Sequence, residues 1–254
     1  MNKKAENLKL SSTHFVTPHG LDDENHYTTA FDLAKLANYA LNNPTFSKIV
    51  STKSYTITIN GNIKQLDNTN ELLGNFEGIY GVKTGFTNGA NRCLVTACKR
   101  GELDVICVVL GCDTKKDRTQ DSIKLLNYIL NNFSVINVKE IVYQNFNEWA
   151  KTHTNSFKIN KGISQSLDLY LNESDFKFSK MAIDNANLEK ISTNISFRSY
   201  FEAPVNSNET IGNIQFLVDN TEIFNINFYN RNYIERKNLY CYLTYILKNY
   251  FQFF

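Results

Sequence analysis

Three strand-length apolar runs lie almost end to end near residues 79–84, 92–99 and 103–111. Arg100-Gly101-Glu102, between the last two, is a tight turn and leaves no room for the crossover that a parallel pair needs. An antiparallel meander is therefore predicted. Over residues 115–133, Ile123, Leu126, Ile129, Leu130 and Phe133 recur at helical spacing, so an amphipathic helix should follow and cover one sheet face. Upstream, Tyr55–Ile59 and Ile63–Leu66 flank Asn60-Gly61, the signature of a two-residue hairpin turn.

Before these lie more helical signals. Residues 2–9 read as the tail of a helix, and residues 11–27 as a polar loop with Pro18 and Gly20. Thr29 and Asp32 fit a capping box, with Thr29 as N-cap and Asp32 returning the bond. Phe31, Leu33, Leu36, Ala37, Ala40 and Leu41 then keep helical spacing until Asn42-Asn43-Pro44 stops the helix.

The pattern changes near Phe133–Asn137. Ile136–Val142, Ser166–Tyr170, Asn194–Tyr200, Gly212–Val218 and Glu222–Tyr229 are short alternating runs between Asn, Ser and Gly turns. They predict an all-β module, with Trp149 in its core and His153 at its surface. Leu239, Tyr242, Leu243, Ile246, Leu247, Tyr250 and Phe251 return to helical spacing. Arg236, Lys237, Thr244, Lys248, Asn249 and Gln252 fall largely off that stripe. No apolar run approaches the ~20 residues of a membrane span, and this one suits a helix lying in the interface.

A net charge of +2 from 27 basic and 25 acidic residues argues against nucleic acid bound through a broad basic face. Met1-Asn2-Lys3-Lys4 is not followed by the apolar stretch of a secretory signal. Cys93, Cys98, Cys107 and Cys112 sit within strand-like runs and, with Cys241, read as small apolar residues rather than a zinc site or a disulfide framework. His14, His19 and His26 near Asp22, Asp23 and Glu24 match no standard metal spacing.

The chemistry concentrates in Gly81-Val82-Lys83-Thr84-Gly85-Phe86-Thr87. An edge strand offers backbone donors and acceptors to an extended peptide. A glycine lets a ligand's backbone approach closely, a lysine brings positive charge, and threonine hydroxyls can bond a carboxylate. Lys-Thr-Gly on a strand is one element of the penicillin-recognising serine enzymes. Here Thr13–Asp22 precedes a helix, Gly81–Gly89 and Asn91–Val95 form the outgoing and returning strands, and a helix closes the set. With that context the chain resembles the serine-type D-alanyl-D-alanine carboxypeptidases, the low-molecular-mass penicillin-binding proteins.

The resemblance implies an α+β fold in three parts. Residues 1–134 would be the later part of a β-lactamase/transpeptidase-like domain of antiparallel strands with flanking helices. Residues 135–231 would be a small β-rich domain, and 232–254 an amphipathic membrane-anchor helix. It implies removal of the terminal D-Ala from peptidoglycan stem peptides through a serine acyl-enzyme, and acylation of that serine by β-lactams if the domain is completed. It implies no metal or organic cofactor and a place on the extracytoplasmic face of the bacterial membrane. Carried over, Lys83 stabilises charge and aids proton transfer, Thr84 and Thr87 hold the substrate carboxylate across Gly85, and Phe86 offers its N–H to the oxyanion.

The chain departs from the family order of Ser-x-x-Lys, Ser-x-Asn, Lys-Thr-Gly. Neither serine motif precedes Lys83; Ser174-Asp175-Phe176-Lys177 and Ser192-Thr193-Asn194 both follow it and read as coincidences. Some relatives carry a carboxylate-binding Arg shortly before Lys-Thr-Gly, whereas the first Arg here is Arg92, so that role stays open. The expectation is a chain that starts downstream of two catalytic motifs and of an export signal, inactive alone. The alternative is a non-catalytic peptidoglycan- or partner-binding remnant.

Overall fold

A computed structural model describes residues 1–251, with the side chains of Tyr245 and of residues 248–251 outside that description. The parts of the C-terminal stripe at Tyr250 and Phe251, and the off-stripe Lys248, Asn249 and Gln252, therefore fall outside the described side chains. Contacts divide the chain into a first unit, Met1–Ser134, and a second that begins at Val135.

The first unit opens with a short helix α1, Asn2–Asn7, and the loop that ends in a His14–Tyr27 bridge. Helix α2, Ala30–Leu41, starts at Thr29, whose hydroxyl accepts the Asp32 N–H at 3.2 Å. Only half of the expected capping box forms. The Asp32 carboxylate turns instead to the Ser12 N–H at 2.9 Å and the Thr13 hydroxyl at 2.8 Å, tying the loop base to the helix. Pro44 does more than end α2. It sits in the first turn of α3, Pro44–Val50, where its fixed φ suits a helix start and Asn43 caps it. Of the α2 stripe, Ala37 is buried, while Phe31 is 73% exposed.

Strands β1, Ser54–Ile59, and β2, Asn62–Asp67, pair as the expected hairpin. Asn60 and Gly61 both have positive φ, 50° and 79°, as a turn of that hand requires. Strands β3, Ile79–Thr87, β4, Asn91–Arg100, and β5, Leu103–Cys112, form an antiparallel sheet in the order β3-β4-β5. Central β4 is covered on both faces. Leu94 and Cys98 pack with Cys107, Val109 and with Leu126 of α4, Lys115–Asn132. Ala97 packs with Val50 and Val82, with Leu41 against them. The period-two alternation of a strand is what lets one sequence serve two faces.

Strand β6, Phe133–Asn137, runs through the boundary between the units, so Phe133 ends the preceding helix rather than extending it. The run Ile136–Val142 is not one strand. Asn137 caps a helix α5, Val138–Thr152, by accepting the Glu140 N–H at 3.2 Å. Val138, Val142 and Phe146, spaced by one helical turn, bury one face of it. Short strands β7, Lys158–Asn160, β8, Leu169–Leu171, and β9, Lys180–Asp184, follow. Then come β10, Ile191–Phe197, β11, Tyr200–Glu202, β12, Thr210–Val218, and β13, Thr221–Asn230. The main sheet runs β10-β12-β13-β8. Its fully buried Ile214, Phe216 and Phe228 share a core with α5. Trp149 joins that core against Phe146, Phe197 and Phe228. His153 is not free at the surface: it stacks on Trp149 at 4.8 Å, with Nδ1 2.9 Å from the Trp149 carbonyl.

Helix α6, Leu239–Phe251, exposes Leu239, Tyr240, Leu243, Ile246 and Leu247, each by 49% or more. No described helix is long and apolar enough to cross a membrane.

Candidate functional site

Strand β3 lies at an edge of its sheet, so one side of its backbone is not used by the β4 ladder. Its first half is packed: Ile79, Gly81 and Val82 are buried. From Lys83 onward it opens to solvent, with Lys83, Gly85 and Phe86 exposed and Thr84 and Thr87 half-buried. The structure therefore brings all five sequence-derived site residues onto one strand end, in register with Val95, Leu94, Cys93, Arg92 and Asn91 of β4. That end forms one wall of an open groove of about 1320 Å³. The segment from His19 to Tyr27 faces it, and Lys115 and Arg118 of α4 also line it.

The individual groups are held in distinct ways. Lys83 Nζ donates to the Thr84 carbonyl at 2.7 Å. The Thr84 and Thr69 hydroxyls stand 2.7 Å apart, so a proton from Thr69 leaves that of Thr84 free to point elsewhere. Phe86 lies under the Arg92 guanidinium, 3.8 Å from the ring centroid, which stiffens the groove rim by a cation–π contact. Gly85 carries no positive φ, and a Cβ built on it would meet only Cys93 Cβ at 3.7 Å, an ordinary contact.

Two contributors were missed by reading the sequence. The first is Arg118, 3% exposed yet on the groove wall. Its Nη2 donates to Glu71 at 2.9 Å, while its buried Nε has no hydrogen-bond partner. Glu71 also takes the Thr119 hydroxyl at 2.6 Å. That bond first, and the Arg118 charge after it, hold the Glu71 carboxyl below its ordinary range. A signal was present: Arg118 falls on the same helical face as Ser122 and Leu126, and a charge on a buried stripe is rarely placed without a partner. The second is Asp22, which accepts the Gly89 N–H at 3.1 Å across 67 residues of sequence. Nothing local foretells that contact.

The loop histidines serve the loop. The His14 ring lies 2.6 Å from the Asn25 carbonyl, His19 accepts the Leu21 N–H, and His26 accepts the Val16 N–H. Ser174 lies in a short exposed turn of the second unit and Ser192 on β10. The groove is lined by residues of the first unit.

A Lys-Thr-Gly edge strand facing a groove, between flanking helices and ahead of a β-rich unit, defines the class of the penicillin-recognising peptidases. Comparison with known proteins agrees. The family model for D-alanyl-D-alanine carboxypeptidase matches residues 1–114, and that for the C-terminal domain of penicillin-binding protein 5 matches residues 152–236. D-alanyl-D-alanine carboxypeptidase DacF of Bacillus subtilis is 30% identical over 215 residues, 84% of this chain and 52% of that protein. A D-alanyl-D-alanine carboxypeptidase of a Streptomyces species is 41% identical over 134 residues, 50% of this chain and 46% of the relative. Among solved structures, penicillin-binding protein 5 of Haemophilus influenzae superposes with a TM-score of 0.65 at 25% identity, covering 92% of this chain and 64% of that one. Residues 1–114 thus match the D-alanyl-D-alanine carboxypeptidase family, and the chain spans about half the length of the curated relatives it matches.

Proposed function

We propose that the β3 edge and its groove are the substrate wall of a serine-type D-alanyl-D-alanine carboxypeptidase, binding the C-terminal end of a peptidoglycan stem peptide. The observation that carries this reading is Gly85. The fold has room for a side chain there and needs no special φ, yet the position is glycine and faces the groove. A strand-like ligand pairing with β3 would approach along it.

In this reading Lys83 supplies positive charge for the ligand's carboxylate and for proton transfer. Thr84 donates its hydroxyl to the carboxylate while accepting from Thr69. Arg118, already desolvated and with Nε to spare, adds charge at the same groove. Phe86 would offer its backbone N–H to the oxyanion. Thr87 completes the wall at the β3–β4 turn. Acyl transfer also needs a serine with a base in hydrogen-bond reach. The chain's Ser-x-x-Lys and Ser-x-Asn sequences both lie in the second unit, at Ser174 and Ser192. Binding without acylation is therefore the property of these 254 residues by themselves. β-Lactams would be covalent ligands of the completed site only.

Helix α6 is read as an interfacial anchor to an extracytoplasmic membrane surface. Its described apolar residues are largely exposed, and Arg236 and Lys237 precede it. Titration calorimetry with a diacetyl-lysyl-D-alanyl-D-alanine peptide and its all-L counterpart tests the binding reading; preference for the D,D peptide is expected, and equal affinity would refute it. A fluorescent penicillin should leave no band on a denaturing gel, and a covalent band would show that the chain holds its own nucleophile.

A further inference from the structure

Residues 19–24 and 26 line the groove together with β3, and the loop that carries them is secured at its own base. There His14 and Tyr27 bridge, and Asp32 binds Ser12 and Thr13. Its middle is fastened across the groove end by Asp22. The Asp22 carboxylate accepts the Gly89 N–H at 3.1 Å. The neighbouring Thr87 side chain first, and the Gly89 N–H after it, hold the carboxyl below its ordinary range. Gly89 makes room for it: a Cβ there would stand 3.0 Å from Asp22 Oδ1 and 3.2 Å from Cγ. Thr87 Oγ1 meanwhile accepts the Ala90 N–H at 3.0 Å.

We propose that Asp22 is a positioning residue of the groove, latching the loop that carries it to the β3–β4 turn through Gly89 and so fixing the spacing of the groove walls. The latch stands on the Asp22–Gly89 geometry; its consequence for a ligand rests on the proposal that the groove takes a peptide carboxylate.

Cys93 reports on the latch, because its Sγ lies 3.4 Å from the carbonyl of Ala90, the same residue whose N–H Thr87 holds. The test is alkylation of the full chain followed by peptide mapping, comparing Asp22→Ala and Asp22→Asn with the parent. Cys98 and Cys107 are buried and serve as controls for intact packing. Asp22→Ala should label Cys93 several-fold faster with both controls protected. Asp22→Asn, which keeps an acceptor oxygen for the Gly89 N–H, should fall between. An unchanged Cys93 rate overturns the latch, and so does equal acceleration of all three thiols, which would be general unfolding. In the ligand arm, Asp22→Ala should weaken D-alanyl-D-alanine peptide binding several-fold, and unchanged affinity refutes the latch as a positioning device of the groove. If the parent binds no peptide, the functional reading fails while the thiol rates still decide the latch.

Discussion

Two glycines of β3 make opposite predictions although they stand only four residues apart. A methyl at Gly81 would meet Val50 Cγ2 at 3.0 Å and Val50 Cβ at 3.6 Å, with Leu41 Cδ2 at 4.0 Å behind. Val50 is itself buried, so neither it nor the strand can give way freely. Gly81→Ala should cost about 1–3 kcal/mol as a small-to-large change in a packed core. At Gly85 the methyl meets one ordinary neighbour, Cys93 Cβ at 3.7 Å. There the change only narrows the unfolded chain's conformations, so Gly85→Ala should stabilise by about 0.4–1 kcal/mol. The new methyl would nevertheless stand in the groove, where a close ligand backbone has no slack. Peptide affinity should fall by about tenfold or more, the equivalent of ~1.4 kcal/mol. Hydrogen exchange of β4 and β5 amides reads the stability of the first unit without interference from the second, and calorimetry reads the affinity. Gly85→Ala should slow exchange and weaken binding, whereas Gly81→Ala should speed exchange. If Gly85→Ala destabilises as Gly81→Ala does, the glycine serves the fold and the reasoning fails.

Other outcomes follow from the same structure. Glu71 has its folded pKa depressed, so its stabilising contribution is complete above the ordinary value of 4.5 and is lost as pH falls below it. Exchange of the α4 amides should therefore accelerate below about pH 4.5, and Glu71→Gln should flatten that dependence. Phe146→Ala removes a ring packed on Phe228 and Trp149 and should destabilise the second unit by about 3–5 kcal/mol, with a red shift of Trp149 emission as the core loosens. A chain ending at Tyr233 should lose flotation with anionic liposomes relative to the full chain, and equal flotation would refute the anchor.

The parts legible in sequence are those fixed by neighbours in sequence. Asn60-Gly61 and Gly101 set their turns by backbone conformation alone, so the hairpin and the meander could be read directly. The Lys83–Thr87 strand was legible for the same reason, as a contiguous run with a defined strand pattern. The α5 segment was not, because the β-branched run around Val138 and Val142 has strand-like composition. Its burial against Ile214 and Phe216, together with the Asn137 cap, outweighs that local preference. Asp32 illustrates competition between local and distant partners: a capping acid by spacing, it serves Ser12 and Thr13 instead. Arg118 and Asp22 reach the groove through contacts with Glu71 and Gly89 that only the folded chain creates.

The most direct test of the substrate wall is a residue-resolved NMR titration of the full chain with the diacetyl-lysyl-D-alanyl-D-alanine peptide. The expected footprint is a saturable shift of the Lys83–Thr87 amides, with Arg118 responding and the sheet amides of β12 and β13 silent. A footprint confined to the second unit, or none on β3 at saturating peptide, would contradict the assignment of the groove.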